Sequence, residues 1–309
     1  MVTPQLYVKV VSSGEQALVK GINEAFDGVA DAGGSGTFET IQAADDFLDG
    51  GAYSLWVKSG TYAAGFTVST NNAYIYIEPG TVIEDAITLS GTGITLVFGA
   101  QCDIQGLITV SGANCSILCQ NGVDMVGVTA SGASLLFDGG GWDTLIDGGT
   151  TRTAFTVTSA DAILKNFAAQ TTAGGGNSFT GIEGNGVRQT ISRIKIVDSD
   201  FDGISHYSAY GLIEGCVILG ADQDGISIQG PEMRVLGNYI IAAGRDGIRV
   251  GGGGDNTVIV GNTVKDPTSD PIELLANGDN CVVVANRFDG AINDNGTGTE
   301  VDHNNVVAF

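Results

Sequence analysis

The chain has 309 residues, of which 35 are acidic and 13 basic, for a formal charge of -22. Binding nucleic acid takes clustered Lys and Arg to neutralise phosphates, so this balance argues against a nucleic-acid partner and disfavours a strongly anionic polymer unless a local basic patch intervenes. No apolar run approaches 18 residues, which argues against a membrane-spanning helix, and the start at Met1-Val2-Thr3-Pro4-Gln5 has no basic segment leading into an apolar one, so no secretory signal is expected.

Residues 1–73 do not repeat and are expected to form an N-terminal cap. Between Thr37 and Leu48, Phe38, Ile41, Ala44 or Asp45, and Leu48 fall on one helical face, with Thr37 as N-cap and Gly50-Gly51 as stop. The strand Ser54 to Lys58 and the Gly60-Thr61-Tyr62 turn follow. Such a cap covers the open end of a solenoid, which otherwise exposes unpaired strand edges.

Residues 74–309 read as about ten coils. Short apolar runs from Ile75-Tyr76-Ile77 to Val282-Val283-Val284 recur mostly every 19 to 24 residues, and 48 glycines supply tight corners. Two spacings are longer, 28 from Leu135 to Ile163 and 31 from Ile163 to Ile194, so Gly139 to Thr153 and Ala168 to Gln189 are expected to project as loops. In the second half Asp202-Gly203-Ile204-Ser205, Asp224-Gly225-Ile226-Ser227, Asp246-Gly247-Ile248-Arg249 and Asp270-Pro271-Ile272-Glu273 are separated by 22, 22 and 24 residues. Asn238, Asn262 and Asn286 follow the same period and are expected to stack at an inner turn, each amide bonding its neighbours. Two short strands per repeat without helical periodicity define an all-β, single-stranded parallel β-helix. The five cysteines have no metal-ligand spacing and read as buried free thiols.

The cap motif, Thr37 to Ala44 leading to Leu55-Trp56-Val57-Lys58-Ser59-Gly60-Thr61-Tyr62, together with the Asp-Gly-Ile and Gly-Asn repeats, resembles the pectin-lyase-like superfamily. That resemblance covers nearly the whole chain and implies a right-handed parallel β-helix. Its members include polysaccharide lyases, polygalacturonase-like hydrolases, alginate epimerases and phage tailspike depolymerases.

Alternation points Ile204, Ile226, Ile248 and Ile272 inward and Ser205, Ser227, Arg249 and Glu273 outward, with Tyr207 and Gln229 in the next outward row. The corner aspartates have two readings. Asp at a turn bonds its own backbone two residues on, so the ladder can be turn chemistry. Alternatively, Asp200 and Asp222 double the carboxylates of Asp202 and Asp224 on adjacent coils, which makes these four the catalytic candidates for acid-base cleavage of a glycan. Tyr207, Gln229, Arg245, Asp246, Arg249, Glu273 and His206 are the candidate substrate contacts, although the inward parity of His206 favours a core position.

The resemblance to polygalacturonases matches the four acids, but no Gly-His-Gly follows and Arg249-Val250-Gly251 replaces an Arg-x-Lys motif. A uronate lyase would use Arg245 and Arg249 beside Asp224 and Glu273, with calcium bridging the acids. Asp202, His206, Tyr207 and Asp224 resemble the Tyr, Asp and His set of alginate epimerases without its Asp-Pro-His order. The expectation is a polysaccharide-cleaving protein that requires no cofactor, with calcium as the one candidate ion. It would act outside the cell or on a virion surface, as a monomer or homotrimer. The rival is a non-catalytic adhesive or tail-spike module.

Overall fold

The computed structural model describes residues 26–307 apart from 35, 37, 49–50, 173–178 and 277. Three parallel sheets run the length of a solenoid: the first has 13 strands and includes Leu212–Glu214, the second has 11 and includes Ile226–Ile228, and the third has 12 and includes Val217–Ala221. At about 4.8 Å per strand the 13-stranded sheet makes the rod roughly 58 Å long. A coil carries three strands where the sequence spacing suggested two; one coil is Leu212–Glu214, Val217–Ala221 and Ile226–Ile228, one strand for each sheet. The extra strand escapes notice because a single left-handed residue makes the first corner. Gly215, Gly237 and Gly261 hold φ of 60°, 62° and 70° there, so the flanking strands almost touch in sequence.

Registers follow the repeat. Ile204 pairs with Ile226, Ile226 with Ile248 and Ile248 with Ile272, all fully buried. Phe137, Phe155 and Phe167 fill one stretch of the interior, with ring centroids 5.0 to 5.7 Å apart. All five cysteines are buried and free.

The capping helix α1 spans Ile41–Leu48 and buries Ile41, Ala44 and Asp45. Thr37 and Gly50 lie outside the described residues. The residue that caps is Thr40, whose Oγ1 accepts from Ala43 N at 3.0 Å. Phe38 sits outside the helix in a bridge to Ala30. Residues 54–68 already contribute a strand to each sheet through Ser54–Val57, Thr61–Tyr62 and Phe66–Val68. The two long spacings are largely regular coil, because Leu145–Asp147, Ala168–Gln170 and Ile182–Gly184 are strands within them. Among the described residues no helix is long and apolar enough to cross a membrane.

The asparagine stack forms as expected and extends one coil further. Asn238 Nδ2 donates to Asn262 Oδ1 (2.9 Å), Asn262 Nδ2 to Asn286 Oδ1 (3.0 Å) and Asn286 Nδ2 to Asn304 Oδ1 (3.0 Å). Each acceptor oxygen also takes the backbone N–H of the preceding asparagine. Removing one rung strands several buried donors and acceptors, each costing about 1–3 kcal/mol. Asn262→Ala is therefore expected to destabilise the rod by about 3 kcal/mol in urea unfolding, whereas Ser131→Ala on the exposed surface stays within about 0.5 kcal/mol.

Candidate functional site

The corner aspartates bond from coil to coil rather than within a local turn. Asp202 Oδ1 accepts from Asp224 N (3.0 Å), Asp224 Oδ1 from Asp246 N (3.3 Å) and Asp246 Oδ1 from Asp270 N (3.1 Å). Each carboxylate thus caps the backbone of the equivalent residue one coil on. Ser205 Oγ donates to Asp202 Oδ2 at 2.6 Å. The glycine that follows is required by close approach: a Cβ on Gly225 would lie 2.5 Å from Ile240 Cγ2 and 2.6 Å from Gly247 O.

Asp202, Asp224 and Asp246 are consequently buried, with relative exposures of 2%, 0% and 1%. Burial raises the Asp202 carboxyl above the ordinary range, and the neighbouring Asp224 adds to this. Burial is also the main cause of the upward shift at Asp246. Arg245 forms a bidentate pair with Asp224, through Nε to Oδ1 at 2.7 Å and through Nη2 to Oδ2. It also lies 3.5 Å from Asp246. Arg249 Nε donates to Glu273 Oε2 at 2.8 Å.

These contacts correct several expectations. Asp202 and Asp224, expected on an open face, are buried with their oxygens bonded within the ladder and to Ser205 and Arg245. Arg245, Asp246, Arg249 and Glu273 neutralise one another instead of presenting charge to a substrate. Ser205 and Ser227 have outward parity yet are 0% and 3% exposed. His206 is fully buried in the core, as its parity suggested, and is corrected as a substrate contact. Burial pulls its imidazole down to about 4. Tyr207 and Gln229 are exposed on the second-sheet face.

Asp200 and Asp222 go elsewhere. With Asp198, Gln170, Thr171, Thr172, Ser199, Gly220, Ala221, Ala242 and Gly244 they line a groove of about 520 Å³ at the C-terminal ends of third-sheet strands. A column of left-handed residues shapes it: Asp198 (φ 51°), Gly220 (76°), Ala242 (55°) and Asp266 (52°). The ladder between Lys195–Ser199 and Val217–Ala221 skips Asp198 and Gly220, pairing Val197 with Leu219 and Ser199 with Ala221, so a bulge is stacked on a bulge. Non-glycine residues in this conformation cost about 1 kcal/mol or more and gather at functional sites. Asp200 N donates to Thr171 Oγ1 (2.9 Å) and Phe179 N to Asp200 Oδ2 (3.4 Å).

Asp198, Gln170, Thr171 and Thr172 were not among the sequence candidates. Their signal is faint: the left-handed positions share the 22, 22 and 24 spacing of the Asp-Gly corners but change residue type at each coil. Among the described residues no three His, Cys, Asp or Glu side chains gather closely enough to hold a metal ion.

The fold is that of a right-handed parallel β-helix. The chain belongs to the right-handed beta helix family, whose model, described as "Right handed beta helix region", matches residues 148–307. Among solved structures, ORF18 of Geobacillus virus E2 superposes with a TM-score of 0.50 and 13% identity over 81% of this chain, which spans 52% of that longer chain. The A-module of the Azotobacter vinelandii mannuronan C-5 epimerase AlgE6 gives 0.49 at 16% identity, covering 85% of this chain and 86% of that one. The alginate lyase from Paenibacillus sp. str. FPU-7 gives 0.46 at 16% identity, covering 86% and 96%. At these identities the likeness concerns fold alone. No curated protein matches the sequence.

Two outcomes follow from the division between ladder and groove. Asp224→Ala is expected to cost about 2 kcal/mol, since it frees Asp246 N and leaves Arg245 half-paired, whereas Asp222→Ala stays within about 0.5 kcal/mol; urea midpoints read both. For His206 the unfolded chain binds a proton near pH 6.5 and the folded chain only near 4. Stability is therefore lost as pH falls between these values, by about 3 kcal/mol at the lower end. Asp202 works in the opposite sense: its raised carboxyl favours folding when protonated, and that contribution is lost as pH rises through its folded value. Comparing melting of wild type and His206→Leu from pH 7 to 4 isolates the histidine, and the acid-side loss is expected to shrink in the variant.

Proposed function

We propose that the chain binds an extended polysaccharide in the third-sheet groove and hydrolyses it with Asp200 and Asp222 as the carboxyl pair. The observation that carries this reading is the groove itself: carboxylates on successive coils face one solvent-accessible cleft with amide and hydroxyl side chains beside them. Asp200 and Asp222 directly follow the paired residues Ser199 and Ala221, one coil apart. A coil spacing of about 4.8 Å is close to the carboxyl separation of retaining glycosidases, roughly 5 Å.

Charge selects the sugar at the cleavage point. Lyases and epimerases of polyuronates need a cation to hold the uronate carboxylate while a base removes the C5 proton. Among the described residues no Lys or Arg lines the groove, and Arg245 and Arg249 are held by Asp224, Asp246 and Glu273. Carboxylates suit hydroxyl-rich, uncharged rings, which donate hydrogen bonds to them. The reading thus favours hydrolysis at a neutral sugar over elimination or epimerisation, with action outside the cell or at a virion surface.

A second reading, glycan binding without turnover, draws on one feature: Asp198 places a third carboxylate in the same groove, and a cluster of acceptors can grip hydroxyls without cleaving anything. Release of new reducing ends from neutral and mixed capsular polysaccharides separates the two. Hydrolysis predicts new ends with no unsaturated product, and Asp200→Asn or Asp222→Asn should lower kcat by about 100-fold or more with the fold intact. Unsaturated product would point to elimination, and binding with no new ends on any glycan would leave the adhesive reading.

A further inference from the structure

Away from the groove, the chain presents a surface that the hydrolytic pair does not use. Of the two tryptophans, Trp56 is buried at 8% exposure while Trp142 is 48% exposed. Trp142 lies in the turn before Leu145–Asp147, and its indole Nε1 donates to Arg193 O at 2.8 Å. That bond fixes the edge of the ring. Among the described residues no aromatic or cationic group stacks on its faces.

A space of about 390 Å³ adjoins the ring, lined by Gly140, Gly141, Trp142, Asn166 and Arg193. Two glycines in the wall leave the approach clear of side chains. Arg193 Nε donates to Asn166 Oδ1 at 2.8 Å, and among the described residues the guanidinium forms no ion pair. The carboxylate behind this wall, Asp138, is already engaged by Lys165 Nζ (3.0 Å), Asn166 Nδ2 (2.9 Å) and Gly140 N (3.1 Å). The guanidinium and the open indole thus stand side by side on a chain of charge -22. A sugar ring supplies an apolar face for the indole, and a carboxylate on that ring supplies the partner for the guanidinium.

We infer that Trp142 and Arg193 form a second glycan subsite that takes a carboxylate-bearing sugar. Its position fits one continuous ligand. Arg193 and Asp198 lie on the same stretch of chain, five residues apart and so separated by no more than about 16 Å, with Lys195 and Val197 half-buried on the outer face between them. An oligosaccharide of a few rings can cross the third sheet from Trp142 to Asp200. Resting on the reading of the groove as a glycan cleft, this deepens it: the substrate is a heteropolysaccharide whose acidic sugar is held at Trp142 while a neutral sugar sits over Asp200 and Asp222.

The test uses the full chain carrying Trp56→Phe, so that Trp142 is the one indole. Hyaluronan hexasaccharide, which alternates acidic and neutral rings, and the neutral cellohexaose are titrated while indole emission and acrylamide quenching are followed. The expected result is a saturable emission change with protection from acrylamide for hyaluronan hexasaccharide, and at least tenfold weaker binding of cellohexaose. Arg193→Asn keeps a residue type that tolerates the left-handed backbone at φ 51° and should remove most of that difference. Trp142→Ala should abolish hyaluronan hexasaccharide binding by calorimetry, and Trp142→Phe, which keeps an aromatic face, should restore part of it. Equal affinity for the two saccharides, or no effect of Arg193→Asn, overturns the acidic-sugar assignment; an emission unmoved by both overturns the subsite. If Trp142 responds but Asp200→Asn leaves turnover unchanged, the groove reading fails instead.

Discussion

Parallel stacking at one coil per 4.8 Å is the constraint from which the rest of this molecule follows. Side chains stack over their equivalents in the coil below, so a buried polar residue can find its partner along the rod axis. Asn238, Asn262, Asn286 and Asn304 satisfy one another in this way at one corner. Asp202, Asp224 and Asp246 do so at another, each carboxylate accepting the backbone N–H of the equivalent residue one coil on, the last from Asp270. Stacked carboxylates repel, and Arg245 inserted between Asp224 and Asp246 offsets that repulsion.

The same stacking makes the groove. A left-handed residue repeated at Asp198, Gly220 and Ala242 bends the third-sheet strands at one place on successive coils, and the bends add up to a concavity. What a strand would have buried or paired is turned outward, including the carboxylates that follow. Asp200 and Asp202 differ by two residues yet have opposite fates: one lies in the groove and the other beneath the corner at 2% exposure.

Much of this was legible in the sequence, and the limits have physical causes. The period, the inward isoleucines and the asparagine stack are written in residue identity, because each coil must repeat the same solution. Parity failed at Ser205 and Ser227, where outward orientation did not mean exposure; Ser205 lies against Asp202, to which it donates. The burial of Asp202 and Asp224 could not be read in advance, because a carboxylate capping the next coil and a carboxylate facing solvent have the same one-dimensional pattern. Arg245 and Arg249 were placed beside Asp224 and Glu273 by the repeat, and the structure pairs them with those acids, a bond that proximity alone does not reveal. The bulges stayed hidden since Asp, Gly and Ala can each hold a left-handed position.

The central claim is that ligand chemistry resides in the third-sheet groove while the Asp-Gly-Ile corner is scaffold. A crystal structure of the Asp222→Asn variant with a bound oligosaccharide tests it most directly. The account predicts sugar rings over Asp198, Asp200 and residue 222, with Asp202 and Asp224 still bonded to the N–H groups of the next coil. Sugar lying instead on the second-sheet face over Tyr207 and Gln229, with Arg245 or Arg249 released from its carboxylate to meet it, would contradict the account.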